Sequence, residues 1–248
     1  MGRLATLLFG ALSYVLFLAT FLLAIHFVGD LGLIERGFSI DGESNEPGGA
    51  AAFVINTALL SLFAVQHSVM ARPAFKRWWT QRVPQPIERS VFVLFSSLAL
   101  LLLFVLWRPI PGVVWDVRGA FAGKLLLALF WTGWGVVLVS TFLIDHFELF
   151  GLRQVWHHFR GAAPVVQRFR QPGFYRFLRH PIMLGFLIAF WCAPRMTVGH
   201  LFFALVTTAY ILVAIQLEER DLIAQHGDLY RDYRRSVSML LPLRGRAR

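Results

Sequence analysis

The sequence predicts an all-α integral membrane protein with five to six transmembrane segments, and three observations support this fold class. Apolar residues make up 57% of the 248-residue chain and charged residues only 15%, whereas a soluble domain usually has about 25% charged residues. The mean hydropathy is +0.60. The apolar residues also form unbroken runs that approach the roughly 20 residues a helix needs to cross a bilayer. Much of the surface is therefore expected to face lipid.

Four uninterrupted apolar runs predict four long spans. None of them carries a charge in its middle, and they are Leu4–Val28, Ala50–Val69, Ser90–Trp107 and Lys124–Ile144. The first run is longer than the apolar region of a typical signal peptide, and no clean small-x-small cleavage motif follows it. We therefore expect a true first span.

A fifth apolar region predicts a short C-terminal helical hairpin. Ile182–Leu217 is interrupted by Pro194-Arg195-Met196-Thr197. At about 1.5 Å per residue, the piece before the interruption is short for a complete span. Beyond the hairpin, apolar and aromatic residues recur at helical spacing, with Gly227 as a break: Leu222, His226, Tyr230, Tyr233 and Val237. We expect this tail to fold over the open end of the hairpin as a cytoplasmic helical cap.

The charge distribution predicts the orientation in the membrane. The net charge is +10, and the basic residues concentrate in the segments after the second span, after the fourth span and after the hairpin, whereas the loop after the first span is acidic. Basic segments remain on the cytoplasmic side, so we expect both termini to be cytoplasmic. The basic excess then faces anionic lipid, and neither a nucleic acid nor an obligate protein partner is implied.

The single cysteine, Cys192, excludes an internal disulfide and a cysteine metal site. No metal site is expected elsewhere, since His157-His158 lies in a basic loop without further ligands at suitable spacing. We predict a single domain, residues 1–248, in which residues 1–144 form the substrate-side spans. Residues 145–248 would form the cofactor-binding loop, the hairpin and the tail.

The strongest constellation for chemistry is Arg179-His180-Pro181 at the start of the hairpin. Pro181 suits the first turn of a helix, and the free backbone N–H groups there attract a carboxylate. Gly185 lies one turn further and leaves room for a ligand. Glu218-Glu219 returns to the same side of the membrane and is suited to hold an amino group. Alternatively, the arginine and histidine anchor the headgroup layer and the glutamates form a solvated helix end.

The C-terminal motifs resemble those of the isoprenylcysteine carboxyl methyltransferase superfamily, membrane enzymes that use S-adenosylmethionine. The resemblance lies in three segments that cover about the last 80 residues: 173–185 (GFYRFLRHPIMLG), 217–222 (LEERDL) and 226–233 (HGDLYRDY). It implies an S-adenosylmethionine site formed by the following residues: Tyr175, Arg179, His180, Pro181, Gly185, Glu218, Glu219 and Tyr230. Met183 departs from the aromatic residue that many relatives carry, which affects the expected pocket wall.

Motifs in the first part of the chain are similar to those of the bacterial methanethiol S-methyltransferases. They comprise 66–73 (QHSVMARP), 76–79 (KRWW), 86–90 (PIERS), 107–111 (WRPIP) and 146–154 (HFELFGLRQ). This resemblance implies that methanethiol and S-adenosylmethionine give dimethyl sulfide and S-adenosylhomocysteine, with a small volatile thiol as the substrate.

Such a reaction needs a thiolate, because a cysteine-like thiol has a pKa of about 8.5 and is a poor nucleophile when protonated. His146 is the first candidate base, since Asp145 or Glu148 would orient its imidazole and Arg153 would stabilise a thiolate. Alternatively, Glu148 is only an ion-pair partner of that arginine. His67 is the second candidate base, or else a helix end that reaches water.

Two other functions remain open from the sequence. The C-terminal motifs describe the cofactor half only, so carboxyl methylation of a lipidated or other membrane-embedded substrate fits them as well. A non-enzymatic transporter or sensor would ask for ionisable groups near mid-membrane. The predicted spans Ser90–Trp107 and Lys124–Ile144 have no interior ionisable residue, which disfavours transport.

Overall fold

The computed structural model describes residues 2–32, 38–42, 49–163 and 169–242. The described residues form α1 (Arg3–Gly29), α2 (Ala50–Ala71), α3 (Pro73–Trp79), α4 (Gln85–Leu106), β1 (Val113–Asp116), α5 (Phe121–Ile144), α6 (His146–Leu149), α7 (Leu152–Arg160), a 3-10 turn (Gly173–Arg176), α8 (Pro181–Trp191), β2 (Arg195–Thr197), α9 (Val198–His226) and α10 (Asp228–Ser236). The predicted acidic loop after α1 lies largely outside these ranges.

Five helices are long and apolar enough to cross a membrane, namely α1, α2, α4, α5 and α9, and α8 is a shorter apolar helix of 11 residues. The predicted fold class is confirmed: the protein is an all-α integral membrane protein with four long spans and a C-terminal hairpin. The third span begins at Gln85, five residues before the predicted Ser90. Pro86 fits the first helical turn, so the helix includes charged residues that the hydropathy pattern excludes.

The chain divides into two compact units, and the first comprises Met1–Pro111 and Asp145–Gln167. In this unit α1 packs against α4 and α7, and α2 packs against α4. The buried residues of α1 are mostly small in its first two-thirds, and a Cβ added at Gly10 would lie 2.6 Å from Cγ2 of Val155. Close packing of α1 against α7 therefore depends on a residue without a side chain at that position.

The second unit comprises Gly112–Ile144 and Arg168–Arg248. Its α5 packs against α8 along much of the shorter helix. The two backbones approach closely at a pair of glycines, since a Cβ added at Gly185 would lie 2.7 Å from the carbonyl oxygen of Gly133. The sequence placed α5 among the substrate-side spans, whereas its packing partner in this unit is the first arm of the hairpin.

A two-stranded antiparallel sheet joins the turn of the hairpin to the segment before α5, and the sequence did not predict it. Trp115 pairs with Met196 and Asp116 with Arg195. The indole Nε1 of Trp115 also donates a hydrogen bond to the carbonyl oxygen of Ala193 at 2.9 Å. The strands are about 80 residues apart in the chain, so local periodicity carries no sign of their pairing.

The tail folds back onto the segment before α8, as the helical spacing predicted. Gly227, with φ +59°, ends α9, and α10 follows at once. The backbone N–H of Arg179 donates to the carbonyl oxygen of Ser238 at 2.9 Å, and that of His180 donates to Met239 at 3.2 Å. These bonds attach the tail to the residues that precede the hairpin.

Candidate active site

The predicted cofactor residues of the second unit centre on a buried carboxylate, that of Glu219, which is only 2% exposed. Nε of Arg179 donates to its Oε1 at 2.7 Å, and Nε of Arg234 lies 3.0 Å from its Oε2. Since a buried charge is costly unless it is paired, the two guanidinium groups account for the presence of this carboxylate inside the fold.

His180 joins the same cluster from the residue before α8. Its Nε2 lies 3.1 Å from Oε1 of Glu219, and its Nδ1 lies 3.6 Å from Oε2 of Glu218. Burial by itself would lower the pKa of His180, but the two carboxylates outweigh this effect and raise it above the ordinary value of 6.5. Glu218 keeps a half-exposed side chain, so its carboxylate is the one in this cluster that is open to a ligand.

Arg179 fixes the geometry of the cluster. Besides Glu219, its guanidinium donates to the backbone carbonyl oxygens of Arg234 and Val237 in the tail, at 3.0 and 2.5 Å. Sequence reasoning missed Arg234, because its role depends on how the tail folds back and no short motif marks it. The structure thus joins the segment before α8, the end of α9 and α10 through ion pairs and hydrogen bonds.

Pro181 and Gly185 have structural roles that the geometry explains. Pro181 occupies the first turn of α8 and is buried, where its missing N–H leaves no helical hydrogen bond unmade. Gly185 is also buried, and the space where a side chain would lie is occupied by α5. Close helix packing is therefore sufficient to explain this glycine, and its predicted contact with a ligand stays a prediction.

Three tyrosines surround the cluster. Tyr233 donates its hydroxyl to the carbonyl oxygen of Tyr175 at 2.6 Å. The buried hydroxyls of Tyr175 and Tyr230 have no hydrogen-bond partner among the described residues. Burial raises the pKa of both phenols, Glu218 adds to this effect at each of them, and Glu219 adds to it at Tyr230. Both stay protonated, and an unpaired buried hydroxyl is costly unless another group completes it.

The predicted catalytic residues lie in the first unit, where His146 is buried at 4% exposure. Its Nε2 lies 2.8 Å from the hydroxyl of Tyr14 on α1. Aromatic rings surround the imidazole, with the ring centroid of Phe150 at 4.8 Å and that of Phe147 at 5.5 Å. Burial lowers the pKa of His146 and Asp145 opposes this effect. Sequence reasoning missed Tyr14, which lies 132 residues away in an apolar run.

The neighbouring charged residues pair with each other. Asp145 caps α6, since its Oδ1 accepts the backbone N–H of Glu148 at 3.0 Å. Its other oxygen pairs with Arg153, and that guanidinium also lies 3.6 Å from Oε2 of Glu148. The anticipated ion pair between Glu148 and Arg153 is therefore present, and the positive charge of Arg153 is already matched by carboxylates.

His67 lies on α2 with its Nδ1 3.2 Å from the hydroxyl of Ser96 on α4. Its ring centroid is 4.9 Å from that of Phe92 and 5.3 Å from that of Phe63. The side chain is half-buried. These contacts place the second candidate base between two packed helices rather than at a helix end.

The span-length helices and the buried ionic cluster define a polytopic membrane protein with a polar site inside an apolar fold. The chain is 57% identical to a methanethiol S-methyltransferase of Mycobacterium tuberculosis over 98% of both chains. It is 53% identical to methanethiol S-methyltransferase 2 of Bradyrhizobium diazoefficiens over 97% of this chain and 91% of the relative. This chain belongs to the methanethiol S-methyltransferase family.

A more distant similarity reaches beyond that family. The chain is 32% identical to nurim of Rattus norvegicus over 73% of this chain and 72% of the relative. No family model matches the chain, and no solved structure matches it.

Proposed function

We propose that this protein methylates methanethiol to dimethyl sulfide with S-adenosylmethionine as the methyl donor. Support comes from relatives of that name, which are 57% and 53% identical over nearly the whole chain. Because the similarity spans both units, it includes the residues predicted for the donor and those predicted for the thiol. The single observation that carries the proposal is the buried ionic cluster around Glu219.

The residues of this cluster fit the functional groups of S-adenosylmethionine. Glu218, half-exposed beside His180, is the group suited to its ammonium. The buried hydroxyls of Tyr175 and Tyr230 have no hydrogen-bond partner among the described residues. Both are therefore suited to hydrogen-bond to the bound donor. When bound, the donor would supply a sulfonium methyl group. The thiolate lone pair would form a bond to the methyl carbon, and the electrons of the bond between that carbon and the sulfonium sulfur would stay on the donor sulfur.

On the acceptor side, the protein has to remove the thiol proton. We assign this role to His146, whose pKa is lowered by burial despite the nearby Asp145. The imidazole is therefore neutral near pH 7 and able to accept a proton. Asp145, Glu148 and Arg153 hold the short helix that carries it, and His67 is the second candidate.

The membrane itself favours this chemistry. A thiolate and a sulfonium lose their charges as they react, so a site poor in water removes solvation that would otherwise stabilise the reactants. We infer from the basic segments that both termini and the donor cluster face the cytoplasm, where S-adenosylmethionine is made. Because these methanethiol S-methyltransferases come from bacteria, we infer the bacterial inner membrane as the location.

A headspace assay tests the function directly. Detergent-solubilised protein, supplied with S-adenosylmethionine and methanethiol, is expected to release dimethyl sulfide, whereas boiled protein is not. S-Adenosylmethionine is also expected to raise the melting temperature of the wild type but not of the His180→Ala and Glu218→Ala variants. A donor-induced shift without dimethyl sulfide would mean a different acceptor, such as a carboxyl group. Equal shifts in both variants would refute the assigned donor site.

A further inference from the structure

Tyr14 makes a single hydrogen bond through its hydroxyl among the described residues, and the partner is His146. The hydroxyl oxygen lies 2.8 Å from Nε2, and the two rings meet edge to face at 87° with centroids 5.8 Å apart. Tyr14 lies near the middle of the apolar helix α1 and is half-exposed, whereas the imidazole is 4% exposed. The phenol is therefore the accessible member of this pair.

Packing alone does not explain a hydroxyl at this position. The ring of Tyr14 lies among Phe17, Phe147 and Phe150, with centroids 6.0 to 6.5 Å from its own. A phenylalanine would fill the same space without bringing a polar group into an apolar helix, where such groups are costly and mark functional sites. The hydroxyl is thus accounted for by its bond to His146.

We propose that the Tyr14 hydroxyl accepts the proton of the thiol while it passes its own proton to Nε2 of His146, so that the pair acts as one base. The S–H bond of the thiol breaks as a new O–H bond forms on Tyr14. At the same time the original O–H bond of Tyr14 breaks and an N–H bond forms at Nε2 of His146. The products are a thiolate, an unchanged tyrosine and an imidazolium, which later releases its proton to water. This inference rests on the proposed function, because it assigns the step that makes the nucleophile.

Methanethiol is small and weakly polar, which suits a substrate that reaches Tyr14 through the apolar surface of α1. An uncharged alkanethiol dissolves in hydrocarbon, and α1 presents exposed apolar residues within four positions of this tyrosine, namely Leu12, Val15 and Leu18. Its thiol proton is weakly acidic, with an ordinary thiol pKa of about 8.5 or higher. A relay from the half-buried phenol to the buried imidazole therefore delivers the proton without exposing the imidazole.

The charged groups around α6 pair largely with one another. Asp145 precedes it in the chain, Glu148 lies on the same short helix, and Arg153 on α7 pairs with both carboxylates. Arg89 on α4 donates through Nε to a backbone carbonyl oxygen of α6 at 2.7 Å. The face that α1 presents to His146 is aromatic. The charges of two carboxylates and two guanidinium groups thus balance, and the electrostatic effect of Asp145 favours the imidazolium.

The test is a pH–rate profile of Tyr14→Phe, with Tyr210→Phe on α9 as the matched control. We expect kcat of Tyr14→Phe to fall about 10²-fold at pH 7, a usual contribution of acid–base catalysis. This deficit should shrink as the pH approaches the pKa of the thiol, because the solution then supplies thiolate. The KM for S-adenosylmethionine and the donor-induced melting shift should stay at the wild-type values, and Tyr210→Phe should retain the wild-type profile.

A second variant separates a relay from a packing defect. If Tyr14 and His146 act as one base, Tyr14→Phe/His146→Gln should be no slower than the slower single variant. A deficit of Tyr14→Phe below twofold, a deficit independent of pH, or additive losses in the double variant would overturn the inference. Failure of the proposed function would instead appear in the wild type, as donor binding without dimethyl sulfide.

Discussion

Arg179 donates through Nε to Oε1 of Glu219 at 2.7 Å, and the side chains of both residues are less than a tenth exposed. They are forty positions apart in the chain, and the intervening segment comprises α8 and most of α9. Arg179 also binds two backbone carbonyl oxygens of the tail. One guanidinium therefore holds together the beginning of the hairpin, its end and the helix that follows.

Replacing Glu219 by Gln is expected to destabilise this unit strongly. The substitution leaves Arg179 buried without its counter-charge, and breaking one side of a buried ion pair typically costs about 3–5 kcal/mol. Thermal unfolding in detergent would show this as a large drop in melting temperature. Asp228→Asn is the matched control, since that carboxylate is exposed and its ion-pair partner among the described residues is Arg231, one turn away. Equal melting temperatures for the two variants would show that the buried pair does not stabilise the fold.

The approach of α5 and α8 predicts a contrast between two glycines of the same helix. A Cβ at Gly133 would lie 2.7 Å from backbone atoms of α8, whereas one at Gly135 would have no atom within 4 Å. We expect Gly133→Ala to lower stability by about 1–3 kcal/mol, as overpacking does. Gly135→Ala should be neutral or slightly stabilising, because alanine favours helix. A melting temperature of Gly133→Ala equal to that of Gly135→Ala would contradict this packing.

His180 predicts a pH dependence of stability in the ligand-free protein. Its pKa is raised in the fold, since the Glu218 and Glu219 carboxylates outweigh the opposing effect of burial. A histidine with a raised pKa contributes its full stabilisation below its unfolded pKa of about 6.5 and loses it as the pH rises through the folded value. The melting temperature should therefore fall from pH 6 towards pH 9. In His180→Gln this slope should be smaller, and an unchanged slope would exclude His180 as its origin.

The attachment of the tail depends on Tyr233. Its hydroxyl donates to the carbonyl oxygen of Tyr175 at 2.6 Å, and Tyr233→Phe leaves that buried carbonyl without this donor. Such a loss costs about 1–3 kcal/mol. Limited proteolysis should cut the tail of the variant faster than that of the wild type. Tyr230→Phe on the same helix serves as the control, since its hydroxyl has no hydrogen-bond partner among the described residues, and equal cleavage rates of the two variants would refute a role of Tyr233 in holding the tail.

The long helices were predictable because a membrane span needs only a local property, an unbroken apolar run. All four predicted spans and both arms of the hairpin correspond to helices of the structure. The sheet of β1 and β2 was not predictable, since its pairing joins distant segments. The start of α4 was predicted at Ser90, five residues too late. The first turn of the helix contains a proline and polar residues, which a hydropathy pattern does not count as part of a span.

The residues of the candidate site also fall into those that the sequence could indicate and those that it could not. His180 and Glu219 could be singled out from motifs, and the structure brings their side chains to 3.1 Å. Arg234 and Tyr14 could not, because each contributes through one long-range contact with no sequence pattern around it. Gly185 was assigned to ligand binding from its spacing, and only the neighbouring helix reveals its role in packing.

Equilibrium binding of S-adenosylmethionine to the Glu218→Gln variant tests the proposed donor site most directly. Glu218 is half-exposed and lies at the edge of the cluster, so this variant should fold with a melting temperature close to that of the wild type. Loss of a charged hydrogen bond costs about 1.5–3 kcal/mol, which corresponds to roughly 10- to 150-fold weaker binding. An affinity equal to that of the wild type would contradict the assignment of this cluster to the methyl donor.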